Sequence, residues 1–343
     1  MQAESRREPR WCDDSRRRGC ATTMDRRAYV LTTVALLLWS TLAVGAAVLA
    51  GRSPLVIAGF GLLLGGLLTA PRWREWEVPT PIRLLGVGGI LGYHLLFFSA
   101  FAYAPKVAVN LINYLWPLLL VILAPVILPK TAWSWRHTCA ALAGLAGCAC
   151  LFFPGGESLR DGGTGYALAA GAALVWALYS LLTKRAKPFA TTAVGGFCVV
   201  SGAIALGIAA ALGTLMPTVR SLAPWEWLII AAMGIGPLGI AFLCWDAALK
   251  RGDPLVIGTL AYLTPLLSTA WLLLLDQRQP GWHQLAALTL IVSGAVIGAT
   301  AARPLRRSTT KIRKPTTQVA GRPDAQVRKS GSPEVRKSRG SEL

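Results

Sequence analysis

Ten apolar runs of roughly 17 to 25 residues follow one another through this chain, each near the ~20 residues that cross ~30 Å of hydrocarbon. They lie at about 29 to 49, 54 to 70, 82 to 103, 107 to 128, 137 to 153, 166 to 183, 193 to 213, 226 to 249, 254 to 275 and 282 to 302. Backbone polar groups in lipid must be paired within the segment, so such runs become helices. The expected fold is an all-α polytopic membrane protein with ten transmembrane helices. Hydrophobic residues at 54% and charged residues at 15%, with a mean hydropathy of +0.50, exclude a packed soluble domain. The first run is too long, and too soon followed by others, for a cleaved signal peptide.

The net charge of +19 is confined to tails, short loops and run ends, so it marks topology and lipid contact, not nucleic acid. With the amino terminus in the cytoplasm, Arg72, Arg74, Arg83, Lys130, Arg136, Lys184, Arg185, Lys187, Lys250 and Arg251 fall inside. Arg52, Lys106, Arg160, Arg220 and Arg278 fall outside, and both basic tails are inside, as the positive-inside rule requires. Residues 1 to 28 form a basic cytoplasmic tail; Met24-Asp25-Arg26-Arg27 would make a natural start, leaving 1 to 23 as an extension without fold. Residues 303 to 343, rich in Lys, Arg, Ser, Thr, Pro and Gly, read as a disordered basic cytoplasmic tail.

An internal duplication organises the spans. Tyr114-Leu115-Trp116-Pro117-Leu118-Leu119 in the fourth run recurs as Tyr262-Leu263-Thr264-Pro265-Leu266-Leu267 in the ninth. His137-Thr138-Cys139-Ala140-Ala141-Leu142 resembles His283-Gln284-Leu285-Ala286-Ala287-Leu288, and Trp39 in the first run is matched by Trp176 in the sixth. The expected units are 29 to 153 and 166 to 302, five helices each, joined by a periplasmic linker at 154 to 165. An odd number of crossings makes the second copy enter from the opposite side, which gives inverted repeats and two exchangeable gates around a central site. That organisation points to a transporter, with Pro117 and Pro265 as the bendable points.

Candidate site residues follow from depth and chemistry. Asn110, Asn113, Tyr114 and Pro117 share one helical face at i, i+3, i+4 and i+7. His94 stands about ten residues from the outer end of the third run, near the midplane at ~1.5 Å per residue, and Tyr93 is beside it. Trp39, Trp116 and Trp176 also fall at central depth. Amides, imidazole and phenol can bind an ammonium and a carboxylate while indoles stack, which suits a zwitterion with a flat or apolar side chain. The alternative is that His94 and the asparagines only join helices. Asp246 has Lys250 at i+4 one turn from the cytoplasmic end, and reads as an interfacial ion pair rather than a coupling site.

Gly234-Ile235-Gly236-Pro237-Leu238-Gly239 satisfies G-x-G-x-x-G but lies in an apolar helix with no preceding strand, so a nucleotide site is not expected. Gly61-x-x-x-Gly65 is read as a close helix contact. Seven cysteines without CxxC spacing imply neither a disulfide framework nor a metal site, and no cofactor is called for. No P-loop, HExxH or GxSxG is present to carry ATP-driven transport or hydrolysis, so the chain does not read as an enzyme.

Leu38-Trp39-Ser40, Asn113-Tyr114-Leu115-Trp116-Pro117 and Tyr262-Leu263-Thr264-Pro265-Leu266-Leu267, set in ten spans, resemble the drug/metabolite transporter superfamily and, within it, the bacterial aromatic amino acid exporter branch. The resemblance implies a multi-pass protein of the bacterial inner membrane moving amino acids outward by alternating access around a central cavity. On the expected site, Tyr93, His94, Asn110 and Asn113 hold the amino and carboxyl groups, while Trp39, Trp116, Trp176 and Tyr262 line the side-chain space beside Tyr114. A monomer is expected, since two repeats enclose one site. An exporter of another metabolite or hydrophobic drug, and a membrane enzyme or sensor, stay open at this point.

Overall fold

The computed structural model describes residues 25–129, 131–152, 162–275, 279 and 281–301, which are helical throughout their regular structure with no strand among them. Residues 1–24 of the first basic tail, residues 303–343, most of the expected linker, Lys130, Arg160 and Arg278 lie outside the described residues. The first helix, α1 (Arg26–Ser40), starts where the Asp25 carboxylate accepts the Arg27 N–H at 3.2 Å. It steps at Thr41 into α2 (Leu42–Val48). α3 (Pro54–Leu67) is followed by a 3-10 segment, Ala70–Trp76, bent from it by 89°. Then come α4 (Thr80–Ala100), α5 (Lys106–Asn113), α6 (Leu115–Ile127) and α7 (Trp135–Phe152). Next are α8 (Gly163–Arg185), α9 (Ala193–Ala211), the short α10 (Leu215–Ser221) and α11 (Pro224–Ile235). A π segment, Gly236–Ile240, joins α11 to α12 (Ala241–Arg251), and α13 (Pro254–Leu260), α14 (Leu263–Leu275) and α15 (Trp282–Ala301) complete the set. Prolines open α3, α11 and α13, where the missing N–H costs nothing.

Among the described residues, seven segments are long and apolar enough to cross a membrane, or eight if the bent pair at 54–76 counts as one. The broadest interfaces are α7 with α15, α3 with α9, α4 with α8, and α1 with α12. Glycines set the closest approach. A Cβ on Gly65 of α3 would stand 2.6 Å from the Gly234 carbonyl oxygen and 2.8 Å from the Gly239 Cα. The Gly-x-Gly-x-x-Gly string is thus a helix contact, as its setting in an apolar run implies.

The fourth and ninth runs break at equivalent places. α6 and α14 begin at Leu115 and Leu263, 148 positions apart, and each runs for 13 residues. Pro117 and Pro265 occupy the third position of these helices. There a missing N–H is harmless, but the ring crowds the carbonyl four residues back, so the preceding helix ends just upstream. The chains cross closely, with the Pro117 carbonyl oxygen 3.2 Å from the place of a Gly258 Cβ.

Charged side chains at the ends are held in pairs. At one end Arg52 makes two 2.9 Å hydrogen bonds to Glu226, which also accepts the Ala223 N–H at 2.7 Å and so caps α11. At the other, Lys184 donates to the Leu249 and Gly252 carbonyls at the end of α12, replacing the partners a helix terminus lacks. Thr192 donates to Glu75 beside it.

Candidate substrate site

Trp39 is the hub of an aromatic cluster formed where α1 meets α12, α8 and α6. Its ring centroid lies 5.1 Å from Trp245, 5.7 Å from Trp176, 6.0 Å from Phe242 and 6.3 Å from Trp116, mostly edge to face. Its indole N–H donates to the Pro237 carbonyl at 3.0 Å, a partner supplied by the widened turn of the π segment. Trp245 donates to the Ser180 hydroxyl at 3.1 Å, so these two buried indoles are oriented by hydrogen bonds as well as by packing.

From α4, Tyr93 reaches Trp176 at 5.2 Å, and His94 reaches Phe242 at 6.3 Å and Phe98 at 5.7 Å. The Tyr93 hydroxyl accepts from the Asn113 amide at 3.3 Å, which ties α5 to α4. The Asn113 Oδ1 is buried and, among the described residues, has no hydrogen-bond partner. His94 Nδ1 lies 2.7 Å from the Ile90 carbonyl. A carbonyl only accepts, so Nδ1 carries the proton and Nε2 presents a lone pair. Two acceptors, Asn113 Oδ1 and His94 Nε2, therefore stand beside an aromatic wall that contains no carboxylate or ammonium group.

The expected residues are thus partly gathered. Trp39, Tyr93, His94, Asn113, Trp116 and Trp176 meet in one connected group. Asn110 turns its amide back to the Lys106 carbonyl at 2.9 Å on its own helix. Tyr114 sits half-buried at the break before α6. Tyr262, fully buried, presses its ring over Gly144 of α7. Two cavities flank the cluster. One of about 200 Å³ is lined by Ser53, Leu95, Phe98, Ser99, Leu212 and Thr214, with the Phe98 ring between it and His94. The other lies between α4 and α8.

Asp246 is 4% exposed and takes Lys250 Nζ at 2.6 Å and the Thr191 hydroxyl at 2.7 Å, with Lys250 also over the Phe189 ring at 3.7 Å. The pair therefore fastens α12 to the turn between α8 and α9. Asp246→Ala leaves a largely buried ammonium unpaired, a change worth about 3–5 kcal/mol at full burial and less here because Lys250 keeps 22% of its side chain exposed. The expected result is a thermal midpoint lowered by several degrees, mostly recovered in Asp246→Ala/Lys250→Met; an unchanged midpoint in the single variant would show the pair to be ornamental.

Residues 163–299 match the EamA-like transporter family. The aromatic amino acid exporter YddG of Ancylobacter novellus is 34% identical over 295 residues, which is 80% of this chain and 98% of that protein. The chain belongs to the EamA-like transporter family. This EamA-like chain is also 28% identical to the exporter of the same name from Salmonella typhimurium, over 71% of its own length and 87% of the relative. A solved crystal structure, 34% identical, matches it with a TM-score of 0.74 over 80% of this chain and 97% of that one. The family is one of the drug/metabolite transporter superfamily, as the tyrosine-proline helices suggested.

Phe242, Trp245, Tyr179 and Ser180 belong to the cluster of this EamA-like transporter but were absent from the sequence-based set. Their signal was spacing: Phe242 and Trp245 are three apart on one span, and Trp176 and Tyr179 on another, so each pair shares a face.

Proposed function

We propose that this EamA-like transporter exports aromatic amino acids by alternating access, and that the Trp39 cluster with Tyr93, His94 and Asn113 holds the substrate. The observation that carries the proposal is the pairing of an uncharged aromatic wall with the unpartnered Asn113 Oδ1, in a chain 34% identical to a protein named an aromatic amino acid exporter. The substrate's ammonium is placed on Asn113 Oδ1 and His94 Nε2, its ring against Trp39, Trp116 and Trp176. Asn110, Tyr114 and Tyr262 join as the repeats rock, with the breaks before Pro117 and Pro265 as hinges.

Ten spans in two inverted five-helix repeats are part of the same proposal. Beyond the seven long segments, α1 with α2, α3 alone and α7 supply the other three. Exchanging the halves turns the α4–α8 contact into α12–α1, and maps α7–α15 and α3–α9 onto themselves; the four broadest interfaces thus obey a two-fold exchange. The equal lengths of α6 and α14 support it as well. Both termini are placed in the cytoplasm on the basis of the loop charges, and the inner membrane follows from the relatives' role as exporters.

In proteoliposomes, His94→Ala, Asn113→Ala and Trp176→Ala should each reduce transport of aromatic amino acids by about ten-fold or more, roughly the loss of one charge-assisted hydrogen bond or ring contact. Wild-type transport and affinity in all three would remove this site. Movement is predicted to be facilitated; accumulation of substrate against its gradient, driven only by an imposed pH gradient, would contradict that.

A further inference from the structure

Two residues of α14 hold the end of α1. Ser40, the last residue of α1, is fully buried and is gripped twice from 228 and 231 positions away. The Ser268 hydroxyl donates to the Ser40 carbonyl at 3.0 Å, and the Trp271 indole N–H donates to the Ser40 hydroxyl at 3.0 Å. The Ser40 hydroxyl donates its own proton to the Leu37 carbonyl at 2.7 Å, so every donor in the group meets an acceptor. The Ser40 carbonyl is one of the four that a helix end leaves without an intrahelical donor, and in hydrocarbon such a group must be paired within the protein. Trp271 is 41% exposed, so its ring faces lipid while its N–H is turned inward onto α1.

The residue beside Ser40 is the hub of the candidate site. Trp39 donates to the Pro237 carbonyl, so consecutive residues of α1 are tied to two different segments of the second half, Trp39 to the π segment and Ser40 to α14. One position further the helix is interrupted: the Thr41 hydroxyl donates to the Leu38 carbonyl at 2.7 Å, and the chain restarts as α2. The tie to α14 therefore falls where α1 can bend, one residue from Trp39. The exchange of halves proposed above turns the α1–α14 contact into α8–α6 and carries Ser40, Ser268 and Trp271 onto Ala177, Leu120 and Leu123. None of these three side chains has a donor or an acceptor, so the tie belongs to one half alone.

We propose that Ser268 and Trp271 are positioning residues of the transporter: they latch Ser40 to α14 and so set where the Trp39 ring stands against the substrate. In alternating access the halves part and meet in turn, and the latch biases the α1–α14 contact toward the arrangement that keeps Trp39 in the cluster. The α6–α8 contact carries no counterpart, which makes the two gates unequal. The positioning role rests on the transport site proposed above, whereas the latch itself rests on the α1–α14 hydrogen bonds.

The test compares the full chain with Ser268→Ala/Trp271→Phe in liposomes and in detergent. The variant keeps a ring on the lipid face and should fold with a thermal midpoint within a few degrees of wild type. In tryptophan counterflow its KM should rise about seven-fold, the product of two interhelical hydrogen bonds at about 2.7-fold each, with the maximal rate held within about two-fold. Ser268→Ala alone should raise KM about 2.7-fold, and Ser268→Thr, which keeps the hydroxyl, should restore it. Ser293→Ala, which removes a hydroxyl bonded to the Leu290 carbonyl of its own helix, should change neither parameter. Hydrogen–deuterium exchange in substrate-free detergent reads the latch independently: the amides of residues 41 to 45 should exchange about seven-fold faster in the double variant and at the wild-type rate in Ser293→Ala. Unchanged exchange there in the folded double variant would overturn the latch, and faster exchange with an unchanged KM would overturn its positioning role. A wild type that takes up no tryptophan removes the substrate reading instead, and exchange at 41 to 45 then decides the latch.

Discussion

Trp39→Ala is expected to lower stability by about 3 kcal/mol, the lower end of the range for removing a buried Trp, because in a bilayer the transfer contribution is small and the lost contacts dominate. Four aromatic rings lose their common neighbour, and the Pro237 carbonyl loses its donor. Transport should fall by about ten-fold or more even in the fraction that folds, since Trp116, Trp176 and Trp245 are positioned through Trp39. Trp39→Phe separates the two roles. It keeps a ring in the cluster but removes the hydrogen bond and part of the indole's packing, together about 1–2 kcal/mol, so it should be more stable than Trp39→Ala and partly active. Denaturation in detergent alongside counterflow in liposomes measures both. Full stability and full transport in Trp39→Ala would deny the cluster any role.

Gly65→Leu should yield no folded, monodisperse protein. Its Cβ alone would stand 2.6 Å from the Gly234 carbonyl oxygen and 2.8 Å from both the Cα and the N of Gly239. These are backbone atoms in the stretch that carries Pro237, so they cannot rotate away, and the larger side chain would force α3 off α11 and the π segment. Because Trp39 hangs on Pro237, the displacement reaches the candidate site. The same substitution at Gly88, where a Cβ meets nothing, should fold normally, which makes the pair a test of local geometry and not of glycine content. Size-exclusion profiles of the two variants in detergent suffice; a monodisperse Gly65→Leu with wild-type elution would show that the α3 contact yields.

The sequence made the spans legible because a membrane imposes a single length and a single polarity on every helix. It was least informative where tertiary contacts end a helix inside an apolar run. The run at 54 to 70 ends on Pro71-Arg72, and the chain turns by 89° just before them. The Thr69 hydroxyl lies within hydrogen-bond distance of the Gly66 carbonyl and, at 3.1 Å, of the Thr192 carbonyl in a distant turn. The first run is interrupted at Thr41, where the Ser40 and Thr41 hydroxyls bond back to the Leu37 and Leu38 carbonyls, and Trp271 docks on Ser40 at 3.0 Å. No periodicity reports a partner more than 200 positions away.

The candidate site divides in the same way. Depth along a helix can be counted from sequence, so Trp39, Trp176, Tyr93, His94, Asn113 and Trp116 were found together. Direction around the helix is harder once the helix breaks. Asn110 and Asn113 both lie in α5, but their face runs on to Tyr114 and Pro117 only if the helix continues through Tyr114, and there the backbone takes φ −67° and ψ 7°. Asn113 stays buried against Tyr93 while Asn110 bonds to its own turn. At the depth of Asp246 the indole of Trp245, and not the carboxylate, joins the cluster.

The most direct test of the central claim is counterflow of labelled tryptophan into liposomes containing the purified protein, with unlabelled solutes as competitors. The account predicts uptake that phenylalanine and tyrosine block and that Asn113→Ala and Trp176→Ala diminish. Folded protein that exchanges other solutes but takes up no tryptophan would contradict it.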